Sequence, residues 1–404
     1  MSKSVRPNKK EKENRQVEYF MINLFSFAFI GILAIVVFNF SLFNPLKIAL
    51  KDFSLTDFYY QKLANKNKQY PDSLIIVNVE DRERGEIAFL LQRIQQGNPK
   101  VVGMDIIFRE RKDSIGDDLL KQQLVASNLV LPYVANFKGE GEAVYNHTFF
   151  GSKSESFVNL VGDDREFSTI RSYHPFYKEQ AAFTSAIIHK YNPELEKYLL
   201  ERNDKRTEIR YWGNIQNFKY YTFDEVMDPS FDPASFKNRI VLMGYAGIGA
   251  NPNHNLDEDR FFTPLNPKMT GRSHPDMYGM IIHANILRMV IDKDFVKEIP
   301  TILNWIIAFL LNWLMIPLFA KWYLNKPMWF HFLTKVVQLV FAMLFAFLAI
   351  QLYAMFNIKL ESAAILVAVL LLSDVIYFYD GFVKILRNKL NLNINSMFFH
   401  GHGH

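Results

Sequence analysis

The sequence predicts an α/β extracytoplasmic domain, with a mixed, mostly βαβ-type sheet covered by helices, carried on an α-helical membrane region of four helices. Three observations predict it. Residues 19–46, 299–320 and 336–358 each lack Asp, Glu, Lys and Arg, and a run of about 20 apolar residues is what a helix needs to cross a hydrocarbon layer. Residues 47–298 mix charges and turn residues as globular sequence does, and they are numerous enough to bury a sizeable core. Within them, β-branched runs alternate with stretches of helical spacing, the pattern of βαβ units.

The membrane segments follow from charge. Residues 1–18 carry Lys3, Arg6, Lys9, Lys10, Lys12 and Arg15 against three Glu, which predicts a cytosolic N-terminus. The apolar run in 19–46 is too long for a signal peptide and is read as an uncleaved anchor. A second span covers 299–320. The connector after it, with Lys321, Lys326 and Lys335 and no acid, falls on the cytosolic side. A third span covers 336–358 and a fourth 360–382. The residues that follow, 383–404, begin with Lys384, Arg387 and Lys389. All three basic segments lie on one side, which places both termini in the cytosol of a bacterial inner membrane and residues 47–298 outside. Asp380 is expected near the interface. Asp374 is expected deeper, where a carboxylate costs several kcal/mol unless it is paired or protonated. It is either held by a hydrogen bond inside the bundle or is a contact for a partner in the membrane.

Composition excludes several classes. The net charge of +5 gathers beside the apolar spans, so it speaks for the lipid bilayer and not for nucleic acid. There is no cysteine, which removes disulfides, zinc–thiolate sites and a thiol nucleophile. No order of Ser, His and Asp and no Glu pair forms a catalytic constellation, so no enzyme is predicted, and no cofactor.

In the outer domain, strands are predicted at 74–79 (LIIVNV), 101–108 (VVGMDIIF), 129–134 (LVLPYV), 167–173, 207–211 and 240–244 (IVLMG). Helices are predicted at 87–94, 119–125, 180–189 and 278–290. No repeat or low-complexity linker divides residues 47–298, and one domain is expected.

Several ordered landmarks resemble a known family. They are Thr56 to Tyr60 (TDFYY), Ile75 to Asp81 (IIVNVED), VVGMDIIF at 101–108, Asp117-Asp118-Leu119, Gly162 to Arg165 (GDDR), IVLMG at 240–244, Thr263-Pro264, and Ile282 to Asn285 (IHAN). The series resembles the CHASE domain of the second type, an extracellular sensory module associated with cyclases and histidine kinases. Three closing membrane helices fit that resemblance. The chain departs from the family's pattern at Arg82 to Glu86 (RERGE), and in a stretched loop with Asn251, His254 and Asp257 to Arg260. It also ends soon after the fourth span, where members continue into an output domain.

Ligands of open α/β sheets bind outside the carboxyl ends of the strands. Asp81, Asp105 and Gly244 end or follow strands, and Asp259, Thr263 and His283 join them if the family order brings them together. The competing reading is that Asp81 caps the next helix and Asp105 holds a loop. Gly244 to Gly249 (GYAGIG) lacks the Lys-Ser/Thr of a phosphate loop and is read as a tight turn. His254 and Asp257 to Asp259 lack the register of a Ca²⁺ loop. His400, His402 and His404 alternate with Gly and are weak metal candidates. The function expected is a membrane-anchored sensor or receptor subunit that signals through a separate protein partner, possible homo-oligomer included. The rival is a structural or accessory subunit of an envelope complex that uses the outer domain as a docking surface.

Overall fold

A computed structural model describes residues 9–40, 54–64, 68–137, 142–151, 154–160, 169–247, 259–266, 274–392 and 394–399. The chain forms two compact units. One is Thr56–Val296; the other joins Met1–Leu55 to Lys297–His404.

The Thr56–Val296 unit is built on six strands: β1 (Leu74–Asn78), β2 (Val101–Asp105), β3 (Leu129–Tyr133), β4 (Glu155–Phe157), β5 (Lys219–Tyr221) and β6 (Ile240–Gly244). Their order is β4-β3-β2-β6-β1-β5, and every neighbouring pair is parallel. Among the described residues, antiparallel pairing occurs in short two-residue pairs such as β7 (Arg260–Phe261) with β8 (Met277–Tyr278) and in the single bridge Val134–Val144. β1 and β6 are buried along their whole length, as parallel strands covered on both faces must be. That is why they appear in sequence as unbroken apolar runs. β4 and β5 are three residues each and lack such a run, so they carry no comparable signal.

One face is covered by α2 (Arg84–Gln96) and α3 (Ser114–Leu124). Leu90, Leu91, Ile94, Leu120 and Leu124 meet Ile75, Val77, Val102, Met104, Val241 and Met243 there. The other face takes α4 (Phe183–Tyr191) and α6 (Gly279–Ile291), with α5 (Pro193–Arg202) between them in the chain. On that face a Cβ at Gly103 would stand 2.4 Å from Ile187 Cδ1. α4 starts later than its sequence pattern suggests. Lys178 and Glu179 both take positive φ, and the turn they make pairs Gln180–Ala181 with Phe176–Tyr177.

The RERGE stretch has a structural role residue by residue. Glu83, not Asp81, caps α2, in a reciprocal capping box with Glu86. Arg82 pairs with Glu80, Glu86 and Asp224. Arg84 reaches the fully buried Asp117 and donates to the Glu110 carbonyl at 2.6 Å. The Lys112 amide donates to the same Asp117 carboxylate at 2.9 Å.

Among the described residues, the second unit holds four helices long and apolar enough to cross a membrane: α1 (Lys9–Asn39), α7 (Thr301–Asn325), α8 (Phe330–Phe356) and α9 (Ser362–Leu390). The helices outrun the uncharged stretches, so Lys321 and Lys335 belong to helix ends and only residues 326–329 connect α7 to α8. α9 packs against the other three. Buried polar groups bind the helices where apolar surface alone gives no driving force. Asn23 donates to the Phe309 carbonyl at 2.9 Å, Asn312 to Ser26 at 3.3 Å, and Gln338 to the Val369 carbonyl at 2.9 Å. Lys335 pairs with Asp374 at 3.0 Å. Lys335 stands five residues into α8, so this pair sets Asp374 about 7.5 Å from the start of that helix, nearer the basic end than its place in the sequence suggests. Asp380 accepts from Tyr323 at 2.7 Å and from Lys384 at 2.8 Å.

Replacing Asp117 by Ala strands Arg84 without its carboxylate. The expected cost to the Thr56–Val296 unit is about 3–5 kcal/mol, measured as lost hydrogen-exchange protection across β2 and α3. Unchanged protection there would show that the pair does not hold the unit.

Candidate functional site

Parallel pairing places Asn78, Gly244 and Asp105, the last residues of β1, β6 and β2, side by side in register. This row forms the carboxyl edge of the sheet at its centre. Asn78 is fully buried, and its amide makes three hydrogen bonds to backbone and one to a side chain. It donates to the Gly247 carbonyl at 2.8 Å and to the Tyr220 hydroxyl at 2.9 Å. Its oxygen accepts from Ala246 N at 2.9 Å and Glu80 N at 3.0 Å. Asn78 therefore folds the loop after β6 back across the end of β1. Gly247 takes φ of 93° in that loop, a conformation that favours glycine, and its missing side chain leaves room for the Tyr278 ring.

Gly244 has a steric reason of its own. A Cβ there would stand 3.1 Å from Asp105 Cβ and 3.0 Å from Met280 Sδ. Asp105 thus lies against the backbone of β6, packed about by protein while keeping some accessible surface. Asp259 comes from the chain just before β7. A Cβ on Gly279, the first residue of α6, would meet Asp259 Oδ1 at 3.3 Å. The structure brings Asp105, Gly244 and Asp259 together from three separate stretches of sequence.

Neither carboxyl has a hydrogen-bond donor or a cation beside it among the described residues. Burial pushes Asp105 up to about 8, and the neighbouring Asp259 charge adds to the rise. Burial pushes Asp259 up to about 6. The two titrate as a pair and hold a proton between them near neutral pH. Arg260, which follows Asp259, does not neutralise it. Its guanidinium lies 5.3 Å from the Tyr278 ring centre, and its Nε is buried without a partner. The Tyr245 hydroxyl is also buried without a partner, and burial, then Tyr278, Asp81 and Asp259, raise its pKa. Asp81 itself is exposed at the rim and reaches this group through its field.

Two expected members are engaged elsewhere. Thr263 donates its hydroxyl to Asp276 at 2.6 Å and its amide at 2.8 Å, so its role is to close the turn between β7 and β8. His283 lies on α6 with its ring edge-on to Phe183 at 5.4 Å. Burial pushes it down to about 3, so it stays neutral, and its Nδ1 is unpaired. No hydrogen bond or ion pair among the described residues joins it to Asp105 or Asp259. Asn78, Tyr245, Tyr278 and Arg260 complete the neighbourhood and were not expected from sequence. The one available signal was Asn78, a polar residue closing an otherwise apolar strand.

The remaining landmarks also have places. Asn285 accepts from Trp212 N at 2.7 Å and donates to the Gly213 carbonyl at 2.9 Å, tying the 207–213 stretch to α6. Asp57 takes a two-pronged contact from Arg171 at 2.6 and 3.2 Å. Gly162 to Arg165, Asn251, His254, Asp257, Glu258 and the histidines His400, His402 and His404 lie outside the described residues. Among the described residues no group of three His, Asp or Glu is placed to hold a metal.

The pair makes stability depend on pH in a defined direction. Its folded-state pKa values lie above those of an unfolded chain. The penalty for ionising it is therefore absent below about pH 4, grows from there as the unfolded carboxyls lose protons that the folded pair keeps, stops growing for Asp259 at about 6 and for Asp105 at about 8, and is constant above that. Thermal melts of the intact protein are expected to lose stability from pH 5 to pH 9, with a shallower loss in Asp105→Asn. Equal slopes in the two proteins would refute the shared proton.

A family model described as the CHASE2 domain matches residues 31–322. No curated protein matches, and no solved structure does.

Proposed function

The chain belongs to the CHASE2 domain family, an extracellular sensory family, and on that premise we propose that it is a membrane-anchored extracytoplasmic sensor whose signal leaves through a separate protein partner. The observation that carries this reading is the Asp105–Asp259 pair. Two partly buried carboxyls with no cation or donor beside them among the described residues are a destabilised arrangement, and whatever supplies positive charge or a proton there relieves it. The sensed input is accordingly a cationic ligand or protonation, received at the edge formed by Asp105, Gly244 and Asp259, with Asp81 at the rim. Thr263 and His283 act behind this edge as framework.

The Thr56–Val296 unit is built to pass a change to both of its chain ends. Arg210 donates to the Tyr59 hydroxyl at 3.1 Å, and its carbonyl accepts from Arg288 of α6 at 3.3 Å. Tyr60 accepts from the Tyr211 amide at 3.2 Å. One short stretch thereby touches the segment that follows α1 in the chain and the helix that precedes α7. In the bundle, Lys335 and Asp374 pair on a face that leaves them 53% and 41% exposed. The exposed side of this pair is open to a further charged or polar group, so Asp374 is proposed as the contact for the partner. The membrane is proposed to be a bacterial inner membrane, with residues 47–298 outside and both ends of the chain in the cytosol.

The docking-subunit reading shares the exposed Lys335–Asp374 pair and differs at the sheet edge, where it requires no ligand. Full-length protein in nanodiscs, titrated with polyamines and divalent cations as probes, separates the two. The sensor reading expects a rise of several degrees in thermal midpoint that Asp105→Asn/Asp259→Asn abolishes. A midpoint indifferent to every cation and to pH, with a partner retained at fixed stoichiometry, would favour docking.

A further inference from the structure

Beyond α9 the chain does not simply leave the bundle. Ser396 donates its hydroxyl to Glu18 of α1, and the Met397 amide donates to the other oxygen of the same carboxylate at 2.9 Å. Phe398 is 2% exposed. It stands edge-on to Tyr323 of α7 at 5.5 Å and against Tyr379 of α9 at 6.0 Å. Arg387 lies over the Phe399 ring at 4.3 Å. Phe398 joins one apolar cluster with Ile22 of α1, Phe319 of α7, Phe330 of α8 and Val383 of α9.

This site reads the relative position of helices. The two hydrogen bonds go to Glu18 of α1, while the ring contacts of Phe398 are to Tyr323 of α7 and Tyr379 of α9. A slide or rotation of α1 against α7 by part of a turn keeps one set of contacts and breaks the other, because packed interfaces have discrete arrangements. α1 and α7 are also the helices that adjoin the Thr56–Val296 unit in the chain.

We infer that Ile394–Phe399 is an intramolecular latch, held shut by the Glu18 carboxylate and the buried Phe398 ring, and that its release on movement of α1 against α7 presents the segment and its apolar seat to the partner. The inference rests on the sensor reading only for what moves α1; the latch stands on its own contacts.

The chain has no cysteine, so a single Met397→Cys substitution gives a clean reporter that retains the amide bonded to Glu18. The measurement is the rate of maleimide labelling of full-length Met397→Cys protein in nanodiscs, normalised to the denatured protein. Hydrogen bonds to a charged group each shift an equilibrium by about tenfold or more. Glu18→Ala and Phe398→Ala are each expected to raise the rate at least about tenfold. Ser396→Ala, which leaves every helix sequence untouched, should raise it less. Rates that stay at the starting level in all three overturn the latch. Asp105→Asn/Asp259→Asn is expected to shift the rate as well. If that variant has no effect while Glu18→Ala and Phe398→Ala do, the latch is upheld and the sensor reading fails.

Discussion

The sheet edge depends on the Asn78 side chain more than on any other single group. Four hydrogen bonds to one buried amide fix where the chain goes after β1 and after β6. That fixes Gly244 beside Asp105, since the register of β1, β6 and β2 is common. An apolar residue at 78 would leave the Ala246 and Glu80 amides and the Gly247 carbonyl to find other partners in a place with little water. Unsatisfied buried groups of this kind cost about 1–3 kcal/mol each, a large part of the net stability of a domain. The unpaired carboxyls next door are tolerable because this framework holds them regardless of their charge.

Most of the family landmarks turn out to be pins of the same kind. Asn285 holds a strand-like stretch to a helix, Asp57 holds Arg171, and Asp117 holds Arg84. Asp105 and Asp259 differ: each is drawn in from solvent, and among the described residues neither has a cation or a donor beside it. The distinction separates residues that make the fold from residues that the fold has left in an unfavourable state. Strain of this sort collects at sites that respond to something, and it shows in the partners of a side chain, not in its identity.

The sheet's centre was legible because buried parallel strands have a distinctive signature. The runs read at 74–79, 101–108, 129–134 and 240–244 fall on β1, β2, β3 and β6, though the second overshoots the end of β2 at Asp105 by three residues. The order in which they pair was not legible, since β6 enters between β1 and β2 from far along the chain. Neither was the division of labour among acids. Asp81 and Glu83 are two residues apart and look alike as caps, and geometry alone gives the role to Glu83. Thr263 gives its polar atoms to Asp276, and His283 packs its ring against Phe183. In the membrane, uncharged stretches marked the helices and missed their ends, because lysines at the interface continue the helix while keeping their charge in the headgroups.

The insertion of β6 between β1 and β2 has a consequence for how the protein comes into being. β1 pairs with β6, whose Ile240 meets Leu74, and not with β2, the next strand in the chain. Until residue 244 has been synthesised, β1 and β2 each present an open strand edge with no neighbour to fill the gap. Pairings so distant in sequence form slowly, and open edges of apolar strands invite association with other chains. The nascent unit thus carries open strand edges at β1 and β2 throughout the synthesis of residues 106–239, and they find their partner only once β6 has been made.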